Sequence, residues 1–557
     1  MPADRDTRTP EDELIAGSLG DVREALARDP QFAALAHGEI ETPDDATDPS
    51  LLIGAPQGIR PALAAATAER APVVVIVPSG REAEELVEDI RSWYRGDPAS
   101  VAQLQSWETL PHERLSPRAD TVANRMEVFR RLCHPQQGSA MFGPIRILIM
   151  PVRSLIQPVV AGIGDVAPLV FTCGGEMPLD TAAQQLVRNA YTRVDLVMDR
   201  VRGDTVELYP AYYRDKAVRV EFFGDEIDSI RQFHASDQRT YGDEIDSIWA
   251  TPCREVQLTD EIRDRARSLV GSIPNADDML ESIAQGIPVE GMESLIPALI
   301  DEMQPVSSML PRGSVVMLSD PEKLRRAVDD LEKTANEFLA TSWSVAASGH
   351  GSGAPITFDQ ANFLNYQEAV AQLMYSEREV WQVSGFTVDT AQPGHVQIAA
   401  QTPVDFRGSE TKAEQGLHEL LDSGYELTLT AAAHGTLQRL KRMLHGIGVT
   451  RFACVRSQAQ DGFIDTAAKV ALLTERDVTG RASAAGASRT PRKRHKSIDL
   501  MELKPGDFVV HEQHGVGRFV EMRQRTTGTG RNQSTREYLV IEYAPSKRNA
   551  PPDKLFI

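Results

Sequence analysis

The stretch from residue 51 to residue 80, LLIGAPQGIRPALAAATAERAPVVVIVPSG, constrains the fold more than any other part of the chain. An apolar run (Leu51–Ile53) enters a loop rich in glycine and proline, a helical segment follows, and a second apolar run (Val73–Val77) comes next. Short apolar runs separated by helices are typical of a parallel sheet covered on both faces. The order strand, loop, helix is also that of a phosphate-binding loop. The stretch therefore predicts a nucleotide-binding type of α/β domain.

The loop itself lacks the residues that hold a nucleotide. A phosphate-binding loop needs a lysine that reaches the phosphates and a Ser or Thr that binds magnesium. Here Arg60 is the nearest cation, and Pro56 removes a backbone N–H that would otherwise face a phosphate. We therefore expect Gly54, Gly58 and Arg60 to form a degenerate, inactive nucleotide loop. No catalytic residue and no bound cofactor are expected in this chain.

The net charge argues against extensive DNA binding by this chain. Its 557 residues, enough for roughly three to five domains, carry a formal charge of −21. DNA affinity comes mainly from Lys and Arg that neutralise phosphates. Contact with DNA is therefore expected to be local, and the basic run PRKRHK (491–496) is either such a contact or a solvated linker. Without a long apolar run or a signal peptide, we expect a cytoplasmic protein with no membrane contact.

Changes in the pattern along the chain predict an α/β multidomain protein. Alternating apolar and polar residues after position 156 indicate an inserted α+β domain, and the last segment has the pattern of a small β-barrel. The chain stops on an apolar run, DKLFI, which suggests an end inside that barrel. The expected parts are a polar leader (1–29), a first α/β domain (30–155), the insertion (156–240), a return to the first domain (241–345), a linker (346–374), a further α/β domain (375–480), a basic linker (481–500) and the barrel (501–557).

Neither histidines nor cysteines have the spacing of a metal site. His511 and His514 are three positions apart between apolar strands, where they would point to opposite faces. The four cysteines are at least 40 residues apart, which excludes a zinc ribbon or a disulfide framework. We expect isolated thiols, mostly buried.

A group of arginines before a strand is the best candidate for protein binding. Arg193, Arg200 and Arg202 precede Leu208 and Tyr209. Arginine and tyrosine beside an apolar neighbour are frequent anchors of protein interfaces. An ordinary charged sheet face is the alternative.

Six segments, in the same order, resemble bacterial transcription-repair coupling factors (Mfd) from about residue 30 to the end. They are SWETLPHERLSP, AYTRVD, VRVEFFGDEIDSIRQF, DQRT, LKPGDFVVHEQHGVGRFVEM and REYLVIEYA with the terminal DKLFI. The first 345 residues resemble the UvrB-homology module of that family, and the last segment resembles the RNA-polymerase-interacting module that the family shares with CarD-type regulators.

The resemblance implies that the fold of the first module is retained as a docking surface for UvrA, while its nucleotide site is lost. By position, the family's UvrA-binding residues correspond to Arg193, Arg202 and Tyr209, or its neighbour Leu208. The family pairs an edge strand with the RNA polymerase β subunit. That strand corresponds here to Glu537, Tyr538, Leu539, Ile541 and Tyr543.

The same resemblance implies a division of labour. Family members continue into a DNA translocase that binds ATP and Mg²⁺, so DNA binding and ATP hydrolysis are expected mainly in a part that this chain lacks. We therefore expect an adaptor without enzyme activity, the N-terminal half of a coupling factor. Two alternatives stay open. A UvrB-type helicase would need Gly-Lys-Thr and helicase motifs, and a CarD-type transcription regulator would account only for residues 501–557.

Overall fold

The structure is a computed structural model that describes most of the chain. The described residues are 19–40, 50–135, 143–191, 205–210, 217–234, 239–347, 356–358, 362–374, 377–403, 410–479, 508–511, 515–527, 534–543 and 553–556. They belong to two compact units, Met1–Gly486 and Ala487–Ile557.

The helices and strands are numbered in chain order. The helices are α1 (Leu19–Leu26), α2 (Pro30–His37), α3 (Arg60–Thr67), α4 (Gly80–Trp93), α5 (Ala119–Cys133), α6 (Val152–Ile156), α7 (Leu179–Arg188), α8 (Asp260–Leu269), α9 (Asp277–Ala284), α10 (Ile296–Leu299), α11 (Pro321–Ala347), α12 (Tyr366–Met374), α13 (Glu410–Asp422), α14 (His434–Gly446) and α15 (Glu475–Thr479). The strands are β1 (Leu51–Gly54), β2 (Val73–Val77), β3 (Val101–Gln103), β4 (Ile147–Pro151), β5 (Val159–Val160), β6 (Leu169–Thr172), β7 (Thr205–Leu208), β8 (Ala217–Phe223), β9 (Glu226–Phe233), β10 (Thr240–Tyr241), β11 (Ser247–Ala250), β12 (Met303–Gln304), β13 (Val315–Ser319), β14 (Glu379–Ser384), β15 (His395–Gln397), β16 (Ala400–Gln401), β17 (Glu426–Ala431), β18 (Ala453–Arg456), β19 (Phe463–Asp465), β20 (Val470–Thr474), β21 (Phe508–His511), β22 (Gly515–Thr527), β23 (Ser534–Tyr543) and β24 (Asp553–Phe556).

The first module is a parallel sheet with helices on both faces, as the sequence predicted. Among the described residues its strand order is β15-β1-β14-β13-β2-β4-β3, and every pairing is parallel. All five residues of β2 are buried. Each fully buried valine contributes about 1.5–3 kcal/mol to the free energy of folding. Helices α1 to α4 pack against one face. Helices α5, α6, α11 and α12 pack against the other.

Local sequence signals begin the helices of this module. Ser79 caps α4, because its Oγ accepts a hydrogen bond from the Glu82 N–H at 3.2 Å, and Ser followed three residues later by Glu is a capping box. Asp29 caps α2 by accepting from the Gln31 N–H at 2.8 Å, and Pro30 occupies the first helical position. The C-cap Gly38 has φ of +74°, a conformation that favours glycine.

Three expected boundaries of the first module are wrong. Helix α1 lies in the expected polar leader, yet Leu19 and Leu26 are buried in the core. Helix α12 lies in the expected linker 346–374 and buries Leu373. Strands β14 and β15 belong to the first sheet, so the further α/β domain does not begin at residue 375. An apolar run in the sequence predicts a strand, but it does not show which sheet that strand joins.

The inserted module (β6 to β11 with α7) is an α+β unit, as expected. Strands β7 to β10 form an antiparallel sheet in the order β10-β9-β8-β7, and β11 pairs with β6. Because β11 (Ser247–Ala250) completes the unit, the expected end of this module at residue 240 is too early. Helices α8, α9 and α10 follow the inserted module.

The second α/β module (residues 400–479) contains a mixed sheet. The order of its described strands is β16-β19-β20-β17-β18, with β17 parallel to both β18 and β20. One face packs on α13 and α14. The other face joins the core of the first module, where the rings of Phe463 and Trp93 are 6.2 Å apart.

The C-terminal unit contains the antiparallel strands β21-β22-β23-β24, paired in sequence order. Strand β23 pairs with β22 on one side and, over Val540–Tyr543, with β24 on the other. The expectation of an edge strand over Glu537–Tyr543 is therefore wrong for Val540–Tyr543, which lie between β22 and β24, whereas Glu537–Leu539 pair with β22 only among the described residues. The described pairings do not join β21 to β24 into a barrel.

Within the described residues, no helix is both long and apolar enough to cross a membrane.

Candidate functional sites: a loop covered by protein and two candidate interaction regions

The guanidinium of Arg60 is held inside the first module. Its Nε donates to the Ala55 carbonyl at 3.1 Å, Nη1 to Ser319 Oγ at 2.8 Å, and Nη2 to Asp320 Oδ1 at 2.8 Å. Burial raises the pKa of Asp320, but hydrogen bonds and charge from Arg60 and Lys323 outweigh it and hold the pKa below its ordinary value. Arg60 is therefore already committed to protein partners.

The loop that would cradle phosphate is covered by the second α/β module. A Cβ added to Gly58 would lie 2.3 Å from the Gly462 carbonyl oxygen and 2.7 Å from that of Asp461. Such distances leave no room for any side chain larger than hydrogen. The Gln397 amide donates to the Gly54 carbonyl at 3.1 Å. Because glycine has no side chain, Gly58 allows two protein segments to pack closely. The same property elsewhere allows the backbone to approach a ligand.

The remaining cavity beside this loop is small and acidic. Its volume is about 80 Å³, and typical ligand pockets are roughly 300–1,000 Å³. Its charged lining residues are Arg60, Glu82, Glu85, Asp89 and Asp461. A triphosphate would therefore meet more carboxyl groups than cations.

Asp89 connects this cavity to the second α/β module. Its carboxyl oxygens accept from Trp93 Nε1 at 3.1 Å and from the Gln460 N–H at 3.3 Å. Burial raises the pKa of the Asp89 carboxyl to about 7, although both hydrogen bonds oppose the shift. Nearby, Ser92 Oγ accepts from the Gln458 N–H at 3.1 Å. Helix α4 thus holds the backbone of residues 458–460, which leads directly to Asp461 and Gly462 over Gly58.

The polar face of the inserted module carries an exposed aromatic side chain. Tyr209 directly follows β7 and is 42% exposed, with its ring 6.1 Å from that of Phe233 in an edge-to-face arrangement. The Arg219 guanidinium lies 4.8 Å from the Phe233 ring and pairs with Glu207 at 2.6 Å. Alternation along β7 puts Leu208 on the opposite face, where it is 3% exposed in the core. Of the two neighbours, Tyr209 is the accessible one.

Two expected residues cannot be placed in this region, and two unexpected residues lie in it. Arg193 and Arg202 lie outside the described residues. Sequence reasoning missed Arg219, although the alternation of β8 places it on the same face as Glu207, its register partner. It also missed Phe223, which is 80% exposed at the β8–β9 hairpin. Gly224, which follows it, has φ of +65°, as tight turns require.

The segment SWETLPHERLSP joins the first module to the end of the inserted module through a buried charge network. Trp107 Nε1 and Arg125 Nε both donate to Glu255 Oε1, at 2.8 and 2.6 Å. The side chains of Arg125 and Glu255 are 0% and 2% exposed. Within the segment, Leu110 is buried, whereas Leu115 is 48% exposed.

The strand expected to bind RNA polymerase lies within the C-terminal unit. Glu537, Tyr538 and Leu539 pair with Gln524, Arg523 and Met522 of β22. Ile541 and Tyr543 pair with Leu555 and Asp553 of β24 on the other side.

No group of three or more His, Cys, Asp or Glu residues that could hold a metal ion occurs in the described part of the chain. All four cysteines are free. Cys253 and Cys454 are buried, whereas Cys133 is exposed and Cys173 is partly buried, so the expectation that most are buried is wrong for half of them.

Comparison with known proteins identifies the family. The chain is 36% identical, over 95% of its length, to a transcription-repair-coupling factor of Mycobacterium tuberculosis. It is 30% identical over 85% of its length to that of Myxococcus xanthus, and 27% identical over 86% to that of Escherichia coli K12. The chain belongs to the transcription-repair-coupling factor family. It spans 44%, 42% and 42% of those three relatives, so less than half of each is represented here.

Two domain families also match this coupling-factor chain. Residues 169–255 match the UvrB interaction domain, and residues 503–556 match the CarD-like/TRCF RID domain. The first match begins with β6 and ends at Glu255, the buried partner of Arg125. It thus covers the whole inserted module. The two matches confirm the resemblance that the sequence motifs indicated.

Proposed function

We propose that this chain is the adaptor part of a coupling factor, which links a stalled RNA polymerase to UvrA and so to nucleotide excision repair. The observation that carries this proposal is the presence, in one chain, of a UvrB interaction domain and a CarD-like/TRCF RID domain. A CarD-type regulator would leave residues 19–479 without a role. A UvrB-type helicase would require a working nucleotide loop.

The UvrA contact is proposed on the inserted module, through Arg193, Arg202 and Tyr209. An arginine guanidinium can pair with a carboxylate through two parallel hydrogen bonds, which gives both affinity and orientation. Tyr209 supports this proposal as an exposed aromatic beside Arg219, since Tyr and Arg dominate the energy of many interfaces. Leu208 would act indirectly, by packing β7 against the core that holds Tyr209 in place.

The contact with the RNA polymerase β subunit is proposed on β23. Over Val540–Tyr543 this strand already has two strand neighbours. Among the described residues, Glu537, Tyr538 and Leu539 pair with β22 only. An added strand could form hydrogen bonds with the backbone of Glu537–Leu539 on the side opposite β22. These bonds would supply affinity, and alternate side chains would supply specificity. We therefore place the main contact at Glu537–Leu539, with Ile541 and Tyr543 at its end.

ATP hydrolysis is proposed to lie outside this chain. The covered Gly58, the committed Arg60 and the acidic cavity all oppose nucleotide binding in the first module. ATP, Mg²⁺ and most DNA contacts would then belong to the part of the coupling factor that is not represented here.

Separate binding assays with purified UvrA and purified polymerase β subunit test the proposal. Biolayer interferometry on the immobilised chain should detect each partner alone, and saturation with one should leave binding of the other unchanged. Failure to bind either partner would overturn the adaptor function. Binding of only one would restrict the function to that half.

A further inference from the structure

The sheet of the second α/β module ends in an edge strand. Strand β18 pairs with β17 and ends the strand order of the described sheet. Its other side therefore presents unpaired backbone N–H and C=O groups, which can accept an additional strand. Neither β16 to β20 nor their helices contributes to the function proposed above.

A groove lies on the face of this sheet that is turned toward α1. Its volume is about 520 Å³, within the range of roughly 300–1,000 Å³ that ligand pockets occupy. It is lined by Ala453 and Val455 of β18, Thr428 of β17, Val470 of β20 and Val22 of α1. The groove thus borders β18 on one face and offers apolar contacts there.

Several cations lie at or beside β18, in contrast to the acidic chain as a whole. Arg451 and Arg456 are exposed and flank β18. Helix α14, which packs on β18, carries Lys441 and Arg442 and has no acidic residue. Lys441 is close enough to Cys454 of β18 to oppose the rise in the thiol's pKa that burial causes.

These cations have no carboxylate partner in the described part of the chain. Arg451 donates to the Leu421 carbonyl at 3.3 Å and Arg456 to that of Ala432 at 3.0 Å. The acidic groups that line the groove are already paired. Asp21 pairs with Arg95 at 2.9 Å, and Glu426 pairs with Arg28 at 2.6 Å.

We propose that the β18 edge binds an extended acidic peptide segment of a partner protein, which adds a strand beside β18. Edge-strand addition supplies backbone hydrogen bonds, and the cations select for Asp and Glu. Because the whole chain carries a formal net charge of −21, attraction of an acidic partner acts only at short range, at this basic edge.

A labelled peptide tests this proposal on the full chain. The probe is fluorescein-Val-Glu-Val-Asp-Val-Glu, followed by fluorescence anisotropy. Arg451→Glu with Arg456→Glu should weaken binding about tenfold or more, because attraction to the peptide carboxylates is replaced by repulsion. Arg267→Glu on α8, an exposed arginine in another part of the chain, is the matched control and should bind as the parent does.

Backbone pairing is tested separately, so that the result does not depend on the variants alone. The same peptide with proline at its centre loses an N–H and should bind at least several-fold more weakly. Hydrogen exchange of amides 453–456 should slow when the parent peptide is added. Absence of peptide binding, or binding unaffected by the charge reversals and without protection of β18, would overturn the proposal. Displacement of the peptide by a short single-stranded DNA would also overturn it, in favour of a nucleic-acid surface.

Discussion

Glu255→Gln should destabilise the junction between the first and inserted modules far more than an exposed substitution of the same kind. The amide oxygen of the introduced glutamine could still accept from Trp107 and Arg125, so the hydrogen bonds are largely retained. What is lost is the charge that compensates Arg125, which is 0% exposed and cannot deprotonate. Breaking a buried pair in this way costs about 3–5 kcal/mol.

The matched control is Asp264→Asn, which removes the same charge from an exposed pair with Arg267. Exposed pairs contribute less than about 1 kcal/mol. Urea unfolding followed by tryptophan fluorescence measures both variants, and hydrogen exchange of α5 amides localises the effect to the junction. Equal losses of free energy in the two variants would refute the reasoning.

A double variant separates charge from packing. Arg125→Met with Glu255→Leu removes both charges, and apolar replacement of a buried pair is often neutral or stabilising. Trp107 Nε1 would lose its acceptor, at a cost of about 1–3 kcal/mol. This cost is smaller than the roughly 3–5 kcal/mol expected for Glu255→Gln. The double variant should therefore be more stable than Glu255→Gln. A double variant less stable than that single one would show that the charge is not the cause.

Four further outcomes are expected. Arg193→Ala with Arg202→Ala should weaken UvrA binding several-fold or more, at roughly 1–3 kcal/mol per lost contact, while polymerase binding stays intact; unchanged UvrA pull-down would contradict the docking assignment. Leu539→Arg should abolish binding to the polymerase β subunit and leave UvrA binding intact, whereas equal loss of both would indicate misfolding. The purified chain should show no ATP turnover above background with or without DNA, and turnover that disappears in Arg60→Ala would contradict the inactive loop. Because the folded pKa of Asp89 is about 7 against an ordinary 3.8, its protonated form stabilises the fold fully below about pH 4, and this contribution is lost as pH rises to 7; the urea midpoint of Asp89→Asn should lack that decline, and parallel pH profiles for variant and parent would contradict it.

Parts of the candidate sites could be predicted because they depend on residues close together in sequence. The missing lysine after Gly58 is a matter of spacing within one loop. The accessibility of Tyr209 and the burial of Leu208 follow from alternation once β7 is known, but the sequence alone left the choice between them open. The edge position expected for Glu537–Tyr543 was wrong for Val540–Tyr543, since strand order depends on β24, a separate segment that pairs with those residues.

Residue patterns were enough to predict many local elements, the α/β class and the family, and they show that the loop lacks a Gly-Lys-Ser/Thr motif. Each of these depends on periodicity, on short spacings or on ordered motifs. The three-dimensional packing was needed to show that β14 and β15 return to the first sheet, that Gly462 covers Gly58, and that Arg125 meets Glu255 across 130 positions. Contacts between distant segments depend on how sheets and helices pack together, and a local pattern carries no record of its distant neighbours.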